Sequence, residues 1–139
     1  MRHYKYMILC LLLSMAFSTE AVAKHVKAPQ MYMFGFSTSF TDSVVYITDI
    51  QELKGVWIES KSKFLLSHDN YSYQLKNYMD EQLQQPNRLC MVFFSTSKKG
   101  VEKKLAKLKK KYITKANGAY DVRYVSVCDF RFEPVEEPS

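Results

Sequence analysis

The stretch Leu89-Cys-Met-Val-Phe-Phe94, followed two residues later by Ser97-Lys-Lys-Gly-Val-Glu-Lys-Lys-Leu-Ala-Lys-Leu-Lys-Lys-Lys-Tyr112, carries the clearest structural signal in the chain. Six consecutive residues that are apolar on both faces predict a central strand covered on two sides. In the second part Val101, Leu105, Leu108 and Tyr112 fall within one narrow arc of a helical wheel, and Ser97 stands where an N-cap belongs. Around the rest of that wheel run Lys98, Lys99, Lys103, Lys104, Lys107, Lys109, Lys110 and Lys111, with Glu102 as the single acid. Asn117-Gly118 supplies a turn, and Val122 to Phe132 reads as the last long strand. A strand, an amphipathic helix and a second strand make one β-α-β unit.

Toward the N-terminus a second helix is expected from Ser67 or Asp69, either of which can cap it. Tyr71, Leu75, Tyr78, Met79 and Leu83 form its buried face, and Pro86-Asn87 ends it. Before it, Met31 to Phe40 alternates large apolar residues, with Tyr32, Phe34 and Phe36 on one face and Met31 and Met33 on the other. Gly35 marks a bulge or a close backbone approach. Thr41-Asp42-Ser43 is turn-like and Val44 to Ile50 is β-branched and aromatic, so these two segments predict a hairpin. Residues 51–66 are irregular, with short apolar patches at Val56-Trp57-Ile58 and Phe64-Leu65-Leu66 that can each add a brief strand. The order β-β-α-β-α-β predicts an α/β fold, with α+β as the alternative. Its single small mixed sheet carries two helices, right-handed crossovers and the hairpin at one edge. A ferredoxin-like sandwich competes, but it wants a helix directly after the first strand.

Residues 1–23 read as a secretory signal peptide. Arg2, His3 and Lys5 form a positive start, Met7 to Phe17 is an uncharged apolar stretch, and Ala21-Val22-Ala23 offers a small-x-small cleavage pattern. The stretch is shorter than the roughly 20 apolar residues that span a bilayer. Cleavage near Ala23 leaves 24–139 as one α/β domain, exported to the periplasm or secreted, with no transmembrane segment in the mature chain. Residues 24–29 are expected as an exposed lead-in and 133–139 as a frayed acidic tail. Cleavage takes Arg2, Lys5 and Glu20 from totals of 20 basic and 14 acidic residues, leaving 18 against 13. Cys10 leaves with the signal. In an oxidising compartment the remaining Cys90 and Cys128 are candidates for a disulfide, the alternative being two separate buried thiols.

The lysine-rich helix is the strongest candidate site. By helical phase Lys99, Lys103, Lys107 and Lys110 point directly away from the core stripe, while Lys104 and Lys111 flank it. Ammonium groups at this spacing suit a polyanion, such as an acidic glycan or a lipid headgroup, and another envelope protein is a further candidate partner. Export argues against nucleic acid as the partner. A solvated helix face is the competing explanation, although like charges at i,i+4 weaken a helix. Among the aromatic residues, Trp57 lies in the irregular segment and is the first to test for ligand contact.

Nothing in the sequence points to catalysis, a metal or a cofactor. His68-Asp69 would need Cys90 or Cys128 as a nucleophile, and thiols buried in strands make poor ones. No short pair of metal ligands, phosphate-binding glycine loop or nucleophile elbow is present.

Three stretches carry a resemblance: Met31-Tyr-Met-Phe-Gly-Phe-Ser-Thr-Ser-Phe-Thr-Asp-Ser-Val-Val-Tyr46, His68-Asp-Asn-Tyr-Ser-Tyr-Gln-Leu75 and Val101-Glu-Lys-Lys-Leu-Ala-Lys-Leu-Lys-Lys-Lys-Tyr112. Through them the mature chain resembles the small exported, uncharacterised proteins of gut Bacteroidetes. The resemblance implies export and a single domain, and it carries over no functional residue. The combined expectation is a non-enzymatic binding module at the cell envelope. A structural or assembly factor with a merely solvated basic face is one alternative, and an enzyme with an unrecognised site is another.

Overall fold

The computed structural model describes residues 24–138, so the segment read as a signal peptide lies outside the described residues. Seven strands and two helices follow one another in the chain. They are β1 (His25–Lys27), β2 (Met31–Thr38), β3 (Val44–Thr48), β4 (Gln51–Leu53), β5 (Trp57–Glu59), α1 (His68–Glu81), β6 (Leu89–Ser95), α2 (Lys98–Lys109) and β7 (Asp121–Val125). The expected α/β fold, a small mixed sheet with two helices, is the one observed.

The expected positions within the sheet are not. β2, not β6, is central. It pairs antiparallel with β6 along its whole length on one edge, and with β4 and then β3 on the other. β7 adds to the far side of β3 in parallel. The β2–β3 hairpin therefore sits in the middle of the sheet, and β6 is an edge strand. The apolar run of β6 misled because this edge strand touches both helices, so residues on both of its faces are apolar. β2 is the more deeply buried strand, with Met31, Met33, Phe34 and Phe36 fully enclosed.

The alternation in β2 sorts the two cores as its sequence predicts. Met31 and Met33 join Tyr71, Leu75 and Met79 of α1 in the larger core. Phe34 and Phe36 join Val45, Ile47, and Val101 and Leu108 of α2 in the smaller one. The helices thus cover opposite faces of the sheet, which excludes the ferredoxin-like sandwich, whose helices share a face. Going from β3 to β6 and back from β6 to β7, both the direction across the sheet and the covered face reverse. The two parallel crossovers therefore share one hand, as the rule for such connections requires.

The segments expected as an exposed lead-in and a frayed tail are mostly exposed, yet they make ordered contacts as far as Val135. β1 pairs with β5 in a small second sheet, and Ala28 is buried over the α1-side core. The last strand ends at Val125 and not at Phe132, because a turn at Ser126–Phe130 breaks it. Beyond it the chain is held by side-chain amides acting as peptide surrogates. Gln51 donates to the Phe130 carbonyl (3.0 Å) and accepts from the Phe132 amide (2.8 Å). Gln74 does the same with both backbone groups of Glu133 (2.9 and 2.8 Å), and the Tyr71 hydroxyl accepts from the Val135 amide. Seating the apolar Phe132 in the core requires these partners for its neighbours' backbone.

The helix starts differ in mechanism. Ser97 caps α2 as expected, its Oγ accepting from the Gly100 amide at 3.0 Å. Ser67 precedes α1 in a left-handed conformation (φ 59°) and makes no side-chain cap. Its carbonyl instead accepts from the Asn70 amide.

Arg88, just before β6, is the buried cation of the fold and ties its central strands. Its Nε donates to Ser37 Oγ at 2.9 Å, its Nη2 to the Ser37 and Val44 carbonyls, and its Nη1 reaches Asp42 Oδ1 at 3.4 Å. The guanidinium also lies 4.9 Å from the Tyr46 ring. Replacing Arg88 by Met is expected to cost about 1–3 kcal/mol for each buried acceptor left unpaired. Arg88→Lys should rescue little, because an ammonium lacks the planar fork. Urea denaturation of both variants checks this. Gly35 is a close-approach glycine, since a Cβ there would stand 2.6 Å from Leu75 Cδ2 and 3.2 Å from Phe132 Cζ. Gly35→Ala should destabilise by about 1–3 kcal/mol. Combined with Leu75→Ala it should cost less than the sum of the two single changes, which a double-mutant cycle measures.

Candidate functional site

α2 owes its position to Val101 and Leu108, which are buried against Phe34, Phe36, Val45 and Ile47. Leu105 and Tyr112 pack at the margin, and the Tyr112 ring lies 4.8 Å from that of Phe36. The helix leaves through a π-helical turn, Lys110–Thr114. With this stripe inward, Lys99, Lys103, Lys107 and Lys110 are all exposed on the outer face, where helical phase puts them.

The lysines at the two flanks are anchored by contacts that sequence periodicity does not show. On the β6 side Lys104 Nζ donates to the Phe94 carbonyl and lies 5.1 Å from the Phe94 ring. On the β7 side Lys109 Nζ lies 5.2 Å from the ring of Tyr124. Tyr124 is exposed, and Tyr120 packs edge-on against Tyr112 at 4.9 Å. A solvent-facing aromatic margin thus borders the basic face at its C-terminal end. Cation–π contact at exposed positions is worth about 0.5–1 kcal/mol and orients the ammonium more than it holds the fold.

The electrostatic state of this face is its most distinctive property. Five ion pairs are found among the described residues, and none includes a lysine of α2. The single acid of the helix, Glu102, pairs with none of them. The six lysines of α2, and Lys110 and Lys111 in the turn that follows it, are therefore left without a carboxylate partner among the described residues.

The other sequence candidates lie elsewhere. Trp57 is half-buried in β5, with Lys27 Nζ 5.5 Å from its ring, and its strand packs on the α1-side core. It is thus on the opposite side of the main sheet from α2, and the structure does not bring it to the lysines. His68 Nε2 bonds its neighbour Asp69 at 3.1 Å and its ring packs edge-on against Phe64. No thiol is turned toward it, since Cys90 Sγ lies 3.6 Å from Ser37 Oγ. Cys90 and Cys128 are both free. Their elements lie at the two opposite edges of the sheet, with β2 and β3 between. Three strand spacings are roughly 14 Å, well beyond disulfide reach. Cys128 also departs from the expected mid-strand position, because it is exposed in the turn after β7.

Two clefts occur away from the basic face. One of about 470 Å³ lies between β4 and the C-terminal segment, with Glu52, Lys54, Arg131 and Glu133 on its walls. The other, of about 380 Å³, lies beside Ala28, Ile58 and Lys63. Among the described residues no three His, Cys, Asp or Glu side chains converge as metal ligands, and no helix is long and apolar enough to cross a membrane. Comparison with known protein families, curated proteins and solved structures finds no match for the chain.

Burial pushes the Cys90 thiol up from its usual pKa, and the hydrogen bond with Ser37 opposes this more weakly. Thiolate character and access govern alkylation. Iodoacetamide at neutral pH should therefore label Cys128 at least about tenfold faster than Cys90 in the native protein, and at similar rates after unfolding. Site-resolved mass spectrometry reads the two rates directly.

Proposed function

We propose that this protein is an exported binding module that recognises an anionic partner through the outer face of α2. One observation carries the reading: the lysines of that helix have no acidic partner among the described residues. A surface charge kept only for solubility is ordinarily interspersed with the opposite sign. Here Lys99 and Lys103, and Lys103 and Lys107, repel at i,i+4, each pair costing the helix about 0.2–0.5 kcal/mol. The fold tolerates this cost because α2 is held by its buried stripe and its Ser97 cap. An anionic ligand would remove the repulsion on binding, so the same feature that weakens the free helix favours the complex. As part of the same proposal the chain is exported as a single domain, in the manner of the small exported proteins of gut Bacteroidetes, and meets its anion at the cell envelope.

The test uses the mature chain with Lys99, Lys103, Lys107 and Lys110 changed together to Gln. The parent should bind polygalacturonate or phosphatidylglycerol vesicles with an affinity that falls steeply with salt, and neutral dextran not at all. The variant should lose at least about tenfold in affinity, together with most of the salt dependence. Its thermal midpoint should stay level or rise, because like-charge contacts are removed. A parent that binds no polyanion at low salt would overturn the proposal, as would binding indifferent to salt.

A further inference from the structure

The two edges of the main sheet are built differently. β7 exposes Asp121 and Arg123, which are joined at 2.8 Å, and charge of this kind discourages strand addition. β6 carries no charged residue from Leu89 to Ser95, and no described strand lies on its outer side. Its ladder groups face that side, with the Phe94 carbonyl alone held by a side chain, Lys104. The Gly35 amide turns toward β3, donating to Thr48 Oγ1 at 2.8 Å, and Gly35 stands opposite Val92. In an antiparallel pair the residue opposite such a group turns its own N–H and C=O outward. Val92, and by alternation Cys90 and Phe94, therefore present their backbone to the open side. The Phe94 carbonyl confirms the direction, since Lys104 Nζ reaches it by coming round that edge from α2. Beside these groups Leu89 and Met91 are exposed on the α2 side of the strand.

The charge beside the edge selects its occupant. At about 100° per residue, Lys104, Lys107 and Lys111 share the β6 side of α2. Lys104 meets Phe94, and Tyr112 packs on Phe36, which is opposite Met91, so this row runs alongside β6 from Phe94 to Met91. A second copy added antiparallel at β6 would place its own α2 on the same face, lysines against lysines. A polyanion without a peptide backbone would leave the ladder groups unpaired. From this geometry, and resting on the reading of α2 as an anion-recognising element, we propose that the open edge of β6 receives an extended acidic segment of a partner polypeptide as an added strand. Its amides and carbonyls pair with Cys90 and Val92 and with the Phe94 amide, while Lys104 keeps the Phe94 carbonyl. On the α2 face its carboxylates displace solvent from Lys104, Lys107 and Lys111 and their methylenes cover Leu89 and Met91, while its apolar side chains, on the other face, extend the packing of Val92 and Phe94.

The probe is a fluorescent nine-residue peptide alternating Glu with Val, with two versions N-methylated on alternate residues in the two registers. Binding to the mature chain is followed by anisotropy, and amide resonances are followed by NMR. The unmethylated peptide should bind, and one methylated register should lose at least about tenfold while the other keeps most of the affinity. The Cys90, Val92 and Phe94 amides should shift and gain exchange protection. Lys104→Gln combined with Lys111→Gln should weaken binding without changing the fold. Equal affinity of both methylated peptides, or unmoved β6 amides, would overturn the strand. So would self-association through β6, seen by sedimentation and abolished by Met91→Glu. Polygalacturonate binding with no peptide binding would sink this inference and leave the broader reading intact, whereas loss of both would sink the two together.

Discussion

Simultaneous enclosure of β2 on both faces and both edges is the constraint on which the other layers depend. Met31 and Met33 face one core, and Phe34 and Phe36 face the other. Strands β3, β4 and β6 take up its hydrogen-bonding groups. Both helices pack across β2 and the neighbouring β6. At Gly35 the absence of a Cβ lets Leu75 and Phe132 press onto the backbone, and the amide finds Thr48 Oγ1 where no strand partner stands. Packing and polar satisfaction meet at one residue, which is why the close approach is confined to a glycine.

Around that strand, polar side chains do work that longer strands would otherwise do. Arg88 supplies donors to Ser37 and Val44 at one end of the sheet, and Gln51 and Gln74 supply a donor and an acceptor each to the C-terminal segment. Each is a single side chain satisfying two or more backbone groups. Together they close a small domain whose strands are short. They also leave α2 free of structural duty on its outer face, since it is held by the inward stripe of Val101, Leu105, Leu108 and Tyr112, the Ser97 cap and Lys104 on its flank.

The basic face and the open β6 edge therefore belong to one region of the molecule. Lys104 is the physical link, because its side chain leaves the helix flank and ends at a backbone carbonyl of the edge strand. A single lysine on an otherwise neutral edge both deters uncontrolled pairing and offers a charge to an incoming acidic strand. Charge beside a row of unpaired peptide groups is a recognition surface with two independent requirements, and few ligands meet both.

Periodicity was legible wherever one residue's neighbours in sequence decide its environment. The alternation of β2, the buried stripe and Ser97 cap of α2, and the outward direction of Lys99, Lys103, Lys107 and Lys110 follow from spacing alone, because helix and strand geometry repeat locally. Composition also showed the excess of lysine. What sequence could not show is which strand stands in the middle. Leu89 to Phe94 is the most continuous apolar run, yet it lies at an edge, because centrality depends on pairings between residues far apart in the chain. The burial of Arg88, the docking of residues beyond Phe130 by two glutamines, and the separation of Cys90 from Cys128 have the same origin. So does the absence of acidic partners around α2 among the described residues, since carboxylates far away in sequence were free to fold against it. The residues by themselves determined the main strands, the two helices and the sign of the charged face, but not β1, β4 or the end of the last strand. Only the tertiary structure decided that the charge stays uncompensated and runs beside an open strand, because long-range packing sets both.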